Sequence, residues 1–152
     1  FGDDKYSARK AALRLKFPIG SADSLLIFAQ NALYSGEYEG ALRISSHLAS
    51  MHGIDPDMIA EAEFLRAESH FEKKSYKEAL PMYRSLRKLK AESELWLTPW
   101  SHYQSGLCLL KLNDPVSAQK EFELTLEYED YDFHNWLAFR ANREIEKIEN
   151  KK

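Results

Sequence analysis

Residues 66–86 read RAESHFEKKSYKEALPMYRSL, and their landmarks recur twice more along this 152-residue chain at nearly constant spacing. With Ala79 as reference, the small residue Ala67 lies twelve positions before it, Tyr76 three before, Tyr83 four after and Leu86 seven after. Around Ala41 the same offsets give Ala29, Tyr38, Ser45 and Leu48, and around Ala118 they give Gly106, Pro115, Phe122 and Thr125. The references are 38 and 39 positions apart, a period that marks stacked helical repeats. Two antiparallel helices approach closely only where the crossing residue is small. Ala29, Ala67 and Gly106 supply it on the first helix of each pair, and Ala41, Ala79 and Ala118 on the second. Leu48 and Leu86 then fill the space between one hairpin and the next. In the third copy Thr125 takes the leucine place, with Leu124 and Leu126 expected to share its packing.

Working outward, Asp4 to Leu15 is rich in helix formers and stops before Pro18 and Gly20, so a leading helix is expected there. The first hairpin is expected over about 22–54, the second over 56–93 and the third over 99–130, all within one domain spanning 1–152. Asp55-Pro56, Thr98-Pro99 and Asp114-Pro115 each read as an N-cap followed by proline at the first helical position, where its missing donor costs nothing. Ser75 with Glu78 reads as a capping box, and Pro81 is expected to bend the helix it opens, Tyr76 to about Lys90. Over Phe133 to Glu149, Phe133, Trp136, Leu137, Ala141, Ile145 and Ile148 form one apolar stripe opposite Arg143, Glu144 and Lys147. That is the pattern of a helix covering the end of a repeat stack.

The net charge of −3 gives no case for nucleic acid or an anionic membrane as partner. The basic cluster Arg84, Arg87, Lys88, Lys90 and the acidic run Glu127, Glu129, Asp130, Asp132 read as solvated helix ends. One cysteine makes no internal disulfide and fits a reducing compartment. The longest apolar run, Leu25 to Ala29, is too short to cross a bilayer, and the chain reads as intracellular, cytoplasmic or on the cytosolic face of an organelle. Because it opens on Phe1, it reads as a fragment or a processed product.

No chemistry of useful specificity stands out. His47, His52, His70, His102 and His134 are scattered singly, without the spacing or cysteine partners of a zinc site. His70 reads as a satisfied packing residue, and Cys108, two residues after the crossing Gly106, as a buried structural thiol. No phosphate-binding glycine loop or nucleophile elbow occurs, and no carboxylate spacing singles out an acid–base pair. The expectation is a non-enzyme with no catalytic residue, no cofactor and no metal.

The landmark set resembles the tetratricopeptide repeat, its usual period of about 34 residues lengthened by a few. The expected fold is therefore all-α, a right-handed α-α superhelix of three stacked hairpins with a helix at each end. A narrower similarity, to the C-terminal region of the tetratricopeptide repeat protein 39 and inclusion body clearance family, rests on four places. They are Tyr6-Ser7-Ala8-Arg9-Lys10 followed by Pro18, Tyr83-Arg84-Ser85-Leu86, Trp96-Leu97-Thr98-Pro99, and Tyr128-Glu129-Asp130-Tyr131 followed by Leu137-Ala138-Phe139-Arg140. His134 and Trp136 stand where that family tends to carry an acidic and a basic residue. This resemblance implies a non-enzymatic protein of lipid homeostasis at the mitochondrial outer membrane or lipid droplets, and it supplies no binding residues.

In such a stack the first helix of each pair lines the inner surface, where a peptide or partner helix docks. The inner positions expected to be exposed are Leu26, Gln30, Leu33 and Tyr34, then Phe64, Glu68, Phe71 and Glu72, then Trp100, Tyr103, Leu107, Leu110 and Lys111. Of these, Leu26, Tyr34, Phe64, Phe71, Trp100, Tyr103, Leu107 and Lys111 are the candidate partner-binding residues. The places that hold a terminal carboxylate in chaperone-binding repeats are taken by Leu26, Gln30, Leu65, Trp100 and Gln104, which argues against a chaperone tail. Two roles fit: a scaffold binding a peptide or helical segment of a protein partner, or a structural segment whose groove is filled by its own chain.

Overall fold

A computed structural model of the chain describes residues 21–89 and 91–152. The leading helix expected over Asp4–Leu15, and the first of the four motifs above, lie outside them. Among the described residues every regular element is a helix: α1 (Ser21–Tyr34), α2 (Tyr38–Ala49), α3 (Pro56–Glu72), α4 (Tyr76–Leu86), α5 (Leu97–Lys111), α6 (Pro115–Thr125) and α7 (His134–Glu149). Each helix packs on its neighbour in sequence, so α1/α2, α3/α4 and α5/α6 form three hairpins and α7 closes the stack.

The repeat landmarks do what their size predicts. Ala29, Ala41, Ala67, Ala79 and Ala118 are fully buried at the crossings. At the remaining one, a Cβ added to Gly106 would stand 2.5 Å from the ring of Phe122, so only glycine fits. Ser45, Leu48, Tyr83, Phe122 and Thr125 are all buried, the hydroxyls of Ser45 and Thr125 satisfied by Ala41 O at 2.6 Å and Glu121 O at 3.0 Å. A polar residue can thus stand in the leucine place because the helix behind it offers a carbonyl.

The turn inside each hairpin repeats as well. Gly36, Lys74 and Asn113 all take positive φ, at 82°, 62° and 62°. In each turn the following amide bonds back five residues: Glu37 N to Ala32 O at 2.8 Å, Ser75 N to His70 O at 2.8 Å and Asp114 N to Leu109 O at 2.9 Å. This is a Schellman ending, which satisfies helix carbonyls otherwise left open.

The helix starts are less uniform than expected. Asp55 caps α3 through Asp57 N at 2.9 Å, and Asp114 caps α6 through Ser117 N at 3.1 Å. Ser75, however, makes no side-chain cap bond, so the capping box with Glu78 does not form. α5 begins at Leu97 with Trp96 as its cap residue, two positions before the expected Thr98-Pro99 start. Pro99 sits within that first turn, where a missing N–H leaves no bond unmade. α4 carries Pro81 inside it and ends at Leu86, short of the expected Lys90. The connection that follows is tied down by Asp57, whose carboxylate accepts from Glu92 N at 2.7 Å and Ser93 N at 2.8 Å.

An inner face on the first helices and a polar seam beneath it

α1, α3, α5 and α7 touch one another in succession, whereas α2, α4 and α6 do not. A stack whose first helices crowd together while its second helices spread apart curves toward the first helices, which makes theirs the inner face. The candidate residues on it divide by burial. Tyr34 is 78 % exposed and Lys111 is exposed, while Phe71, Trp100 and Leu107 keep part of their surface. Leu26, Phe64 and Tyr103, expected to be exposed, are instead buried. Phe64 and Tyr103 turn onto the second helices, against Tyr83 at 6.0 Å and Phe122 at 5.7 Å between ring centroids, and Leu26 joins the cluster between the first and second hairpins. Gln30, Leu33 and Leu110 are half-buried and Glu72 is exposed.

At the α5–α7 end the inner face becomes aromatic. Trp100 stacks on Trp136 at 5.2 Å and 16°, and meets Phe133 edge-on at 5.7 Å and Phe64 at 6.4 Å. The guanidinium of Arg140 lies 4.6 Å over the Trp136 ring, and its Nε donates to Tyr103 Oη at 3.1 Å. Trp136, expected on the buried stripe of the last helix, is 37 % exposed; Leu137, Ala141 and Ile148 carry that stripe. The signal that could have found it is spacing: Trp136, Arg140 and Arg143 lie at i, i+4 and i+7, one face of α7 turned away from Leu137.

Beneath this face, polar side chains join the second and third hairpins. Glu68 of α3 accepts at Oε1 from Tyr83 Oη of α4 and from Gln104 Nε2 of α5, the latter at 2.6 Å. Glu68 keeps some accessible surface, but its carboxyl group is enclosed; burial pushes its pKa up to about 7 against the two hydrogen bonds that lower it. The same burial, with Glu68 beside it, pushes the Cys108 thiol up to about 12, which fits a structural thiol. One helical turn along, Arg87 Nη2 donates to Ser105 Oγ at 3.0 Å and to Glu121 Oε2 at 2.8 Å, and His102 Nδ1 meets the same Oε2 at 2.7 Å. Burial raises the Glu121 pKa, but the His102 hydrogen bond and the Arg87 charge outweigh it and hold the carboxyl below its ordinary value. Arg87 is therefore no solvated helix end; it clamps one hairpin to the next. His70, expected to be satisfied, has a buried Nδ1 with no hydrogen-bond partner, and burial lowers its pKa.

Chemically these clusters tie helices together rather than converge on a substrate. Among the described residues no group of three or more His, Cys, Asp and Glu could hold a metal ion, and no helix is long and apolar enough to cross a membrane. A shallow depression of about 340 Å³ at Gly36–Gly40 and Lys73 is open to solvent and offers only the Lys73–Glu39 ion pair.

No family model and no curated protein matches the chain. Its fold is similar to that of a solved TPR-like protein from Chlorobium tepidum TLS, with a TM-score of 0.65 at 20 % identity over 84 % of this chain and 93 % of that one. None of these comparisons supports the narrower likeness to the tetratricopeptide repeat protein 39 family. The likeness carries the fold alone: the chain is an all-α superhelix of TPR-like hairpins.

Proposed function

We propose that this chain is a non-enzymatic protein-interaction scaffold that takes a peptide or helical segment of a protein partner on its inner face. TPR-like folds typically serve as such scaffolds, and the observation that carries the reading here is the aromatic end of that face. Trp100 and Trp136 are large rings, stacked on each other and, for Trp100, set against Phe133, and Trp136 keeps 37 % of its surface exposed. Rigid aromatics of this kind bury large area at small entropic cost, which is the profile of an interface anchor. Phe71, Leu107, Lys111 and Tyr34 extend the accessible strip, whereas Leu26, Phe64 and Tyr103 support it from below.

The setting in lipid homeostasis rests only on the quoted motifs, and most of those that can be described are explained by packing. Tyr83, Leu86, Trp96, Leu97, Pro99 and Leu137 are all core residues, which any fold of this shape must supply.

The test separates binding from folding. In Trp136→Ala, partner capture is expected to weaken by about 2 kcal/mol while the helical circular-dichroism melt stays within about 1 kcal/mol of wild type. A collapse of the melt with capture unchanged in the folded fraction would leave the aromatic cluster as core packing and refute the scaffold reading.

A further inference from the structure

The exposed face of α7 carries two guanidinium groups that are positioned but unused. Arg140, an exposed residue, has its guanidinium carbon over the Trp136 ring at 4.6 Å, and its Nε donates to Tyr103 Oη at 3.1 Å, while no hydrogen bond among the described residues uses its Nη groups. Arg143, three residues on, stands 5.8 Å from the ring of Phe139, itself 61 % exposed. No carboxylate forms an ion pair with either arginine among the described residues, although Lys147 on the same stripe is already paired with Glu144 at 3.0 Å. In a chain of net charge −3 these are two unneutralised cations beside an aromatic shelf.

An arginine with its plane and one nitrogen fixed presents a fork that fits a carboxylate, and little side-chain freedom remains to be lost on binding. Residues three apart on a helix have Cβ atoms about 5–6 Å apart. An extended chain places alternate side chains on one side at about 7 Å spacing. Arg143, whose long arm no hydrogen bond among the described residues holds, can widen that spacing to the roughly 7 Å that separates carboxylates two residues apart on an extended segment.

We propose that the α7 end of the inner face binds an acidic segment of a partner protein, an extended stretch with side-chain carboxylates at alternate positions and an aromatic or apolar side chain that packs against the exposed part of Trp136. The proposal rests on the scaffold reading above and adds to it the charge and conformation of what is bound. Binding is through side-chain carboxylates, so a free chain terminus is not required.

The experiment uses the full chain and three fluorescently labelled peptides, N-acetylated and C-amidated, that alternate phenylalanine with aspartate, asparagine or lysine. Anisotropy titration is expected to give the aspartate peptide an affinity at least about tenfold above the asparagine peptide, since hydrogen bonds to charged groups are the stronger class. Arg140→Ala and Arg143→Ala should each remove about that tenfold for the aspartate peptide and leave the asparagine peptide unchanged. Arg143 makes no hydrogen bond among the described residues, so its variant decides the matter if Arg140→Ala loosens the helix through Tyr103. Equal affinity for all three peptides, untouched by either substitution, overturns this inference while the scaffold reading stands. If no peptide binds and Trp136→Ala changes nothing, both fall. Self-association of the wild type in sedimentation, abolished by the arginine substitutions, would give the face to a second copy and overturn the inference also.

Discussion

Between the first and second hairpins, Leu26, Leu48, Ala62 and Leu65 meet, with Met51, Ile54 and Met58 around them. Between the second and third, the corresponding space holds Glu68, Tyr83 and Gln104 and, one turn along, Arg87, His102, Ser105 and Glu121. The backbone step is nearly the same, 38 residues in one case and 39 in the other, yet one junction is aliphatic inside with a single Lys73–Glu39 ion pair at its solvent edge, and the other is wired. Aliphatic contacts are non-directional and tolerate small slides of one hairpin on the next. Hydrogen-bonded carboxylates do not, because an unmade bond to a buried charge costs far more than a shifted methyl. The aromatic inner face adjoins the wired junction through the Trp100–Phe64 contact, so the third hairpin, which carries Trp100, is held in register on the second.

The sharpest way to break this contrast is to remove one member from each junction. Glu121→Ala leaves Arg87 and His102 facing each other without their shared acceptor, and losing one partner of a buried ion pair costs about 3–5 kcal/mol. Leu48→Ala, at a fully buried position in the other junction, is expected to cost about 3 kcal/mol through lost transfer energy and the cavity left behind. The discriminating arm is the multiple change: replacing Arg87, His102 and Glu121 together by leucine should recover most of the Glu121→Ala loss, because no charge is then stranded. Urea denaturation reads all three. A Glu121→Ala chain as stable as the exposed control Glu123→Ala would mean that the seam carries no weight.

Proton linkage gives the next effect. The folded state raises the Glu68 pKa from 4.5 to about 7, so it binds this proton more tightly than the unfolded chain does. Stability from this group is therefore full below about 4.5, falls as pH rises through about 7 and is level above, a loss on the order of 3 kcal/mol. Glu121 runs the other way: its pKa is lowered, so its contribution is present above its ordinary 4.5 and lost as pH falls through the folded value. Glu68→Gln keeps an acceptor for Tyr83 and Gln104 but cannot ionise. It should flatten the decline between pH 4.5 and 7 and make the chain more stable than wild type at pH 8, as followed by thermal melts across pH. A wild-type melt that does not fall over that interval would refute the enclosed carboxyl.

The crossings themselves differ by one methyl group. Gly→Ala inside a helix ordinarily gains up to about 1 kcal/mol. Gly106→Ala should instead lose about 2 kcal/mol, since the new Cβ would overlap a Phe122 ring that is fully buried and has nowhere to turn. Pairing it with Phe122→Leu should return part of the loss, and if the single change proves stabilising the third crossing is looser than its geometry.

The crossings were legible in the sequence because a size constraint acts at one position per helix and repeats with the period. The seam was not legible. Its partners are 36 residues apart for Glu68 and Gln104, 34 for Arg87 and Glu121, and 19 for His102 and Glu121, so no local spacing exposes them. Scattered histidines and charged helix ends look the same whether solvated or clamped. The inner face was partly legible: first-helix positions were found, but which of them are open depends on the depth of each side chain, and periodicity alone placed buried Phe64 and Tyr103 beside accessible Trp100. Trp136 was read as core because it neighbours Leu137 on the helix, and a stripe drawn broadly enough to include both hides the turn between them.

The smallest effect concerns the turns within the hairpins, where the comparison is cleanest because all three share the left-handed residue and the bond back five residues, and the side chain is what differs most. The left-handed position is filled by Gly36 in the first hairpin, Lys74 in the second and Asn113 in the third. A residue with a Cβ pays about 1–2 kcal/mol for this conformation, asparagine less because its side chain bonds locally, and glycine nothing except its greater freedom when unfolded. Lys74→Gly should therefore stabilise the chain by about 0.5–1 kcal/mol, and Asn113→Gly by a few tenths at most. Gly36→Lys should destabilise it by about as much as Lys74→Gly gains, although nothing lies within 4 Å of the Cβ it would add, so the cost is conformational and not steric. The neighbouring ion pair, Lys73 with Glu39, joins the second hairpin to the first, and none of these changes removes either partner. Denaturant midpoints measured on the three variants in one buffer give the ranking directly, and a Lys74→Gly chain less stable than wild type would show that the lysine side chain contributes more to its turn than the strain it imposes.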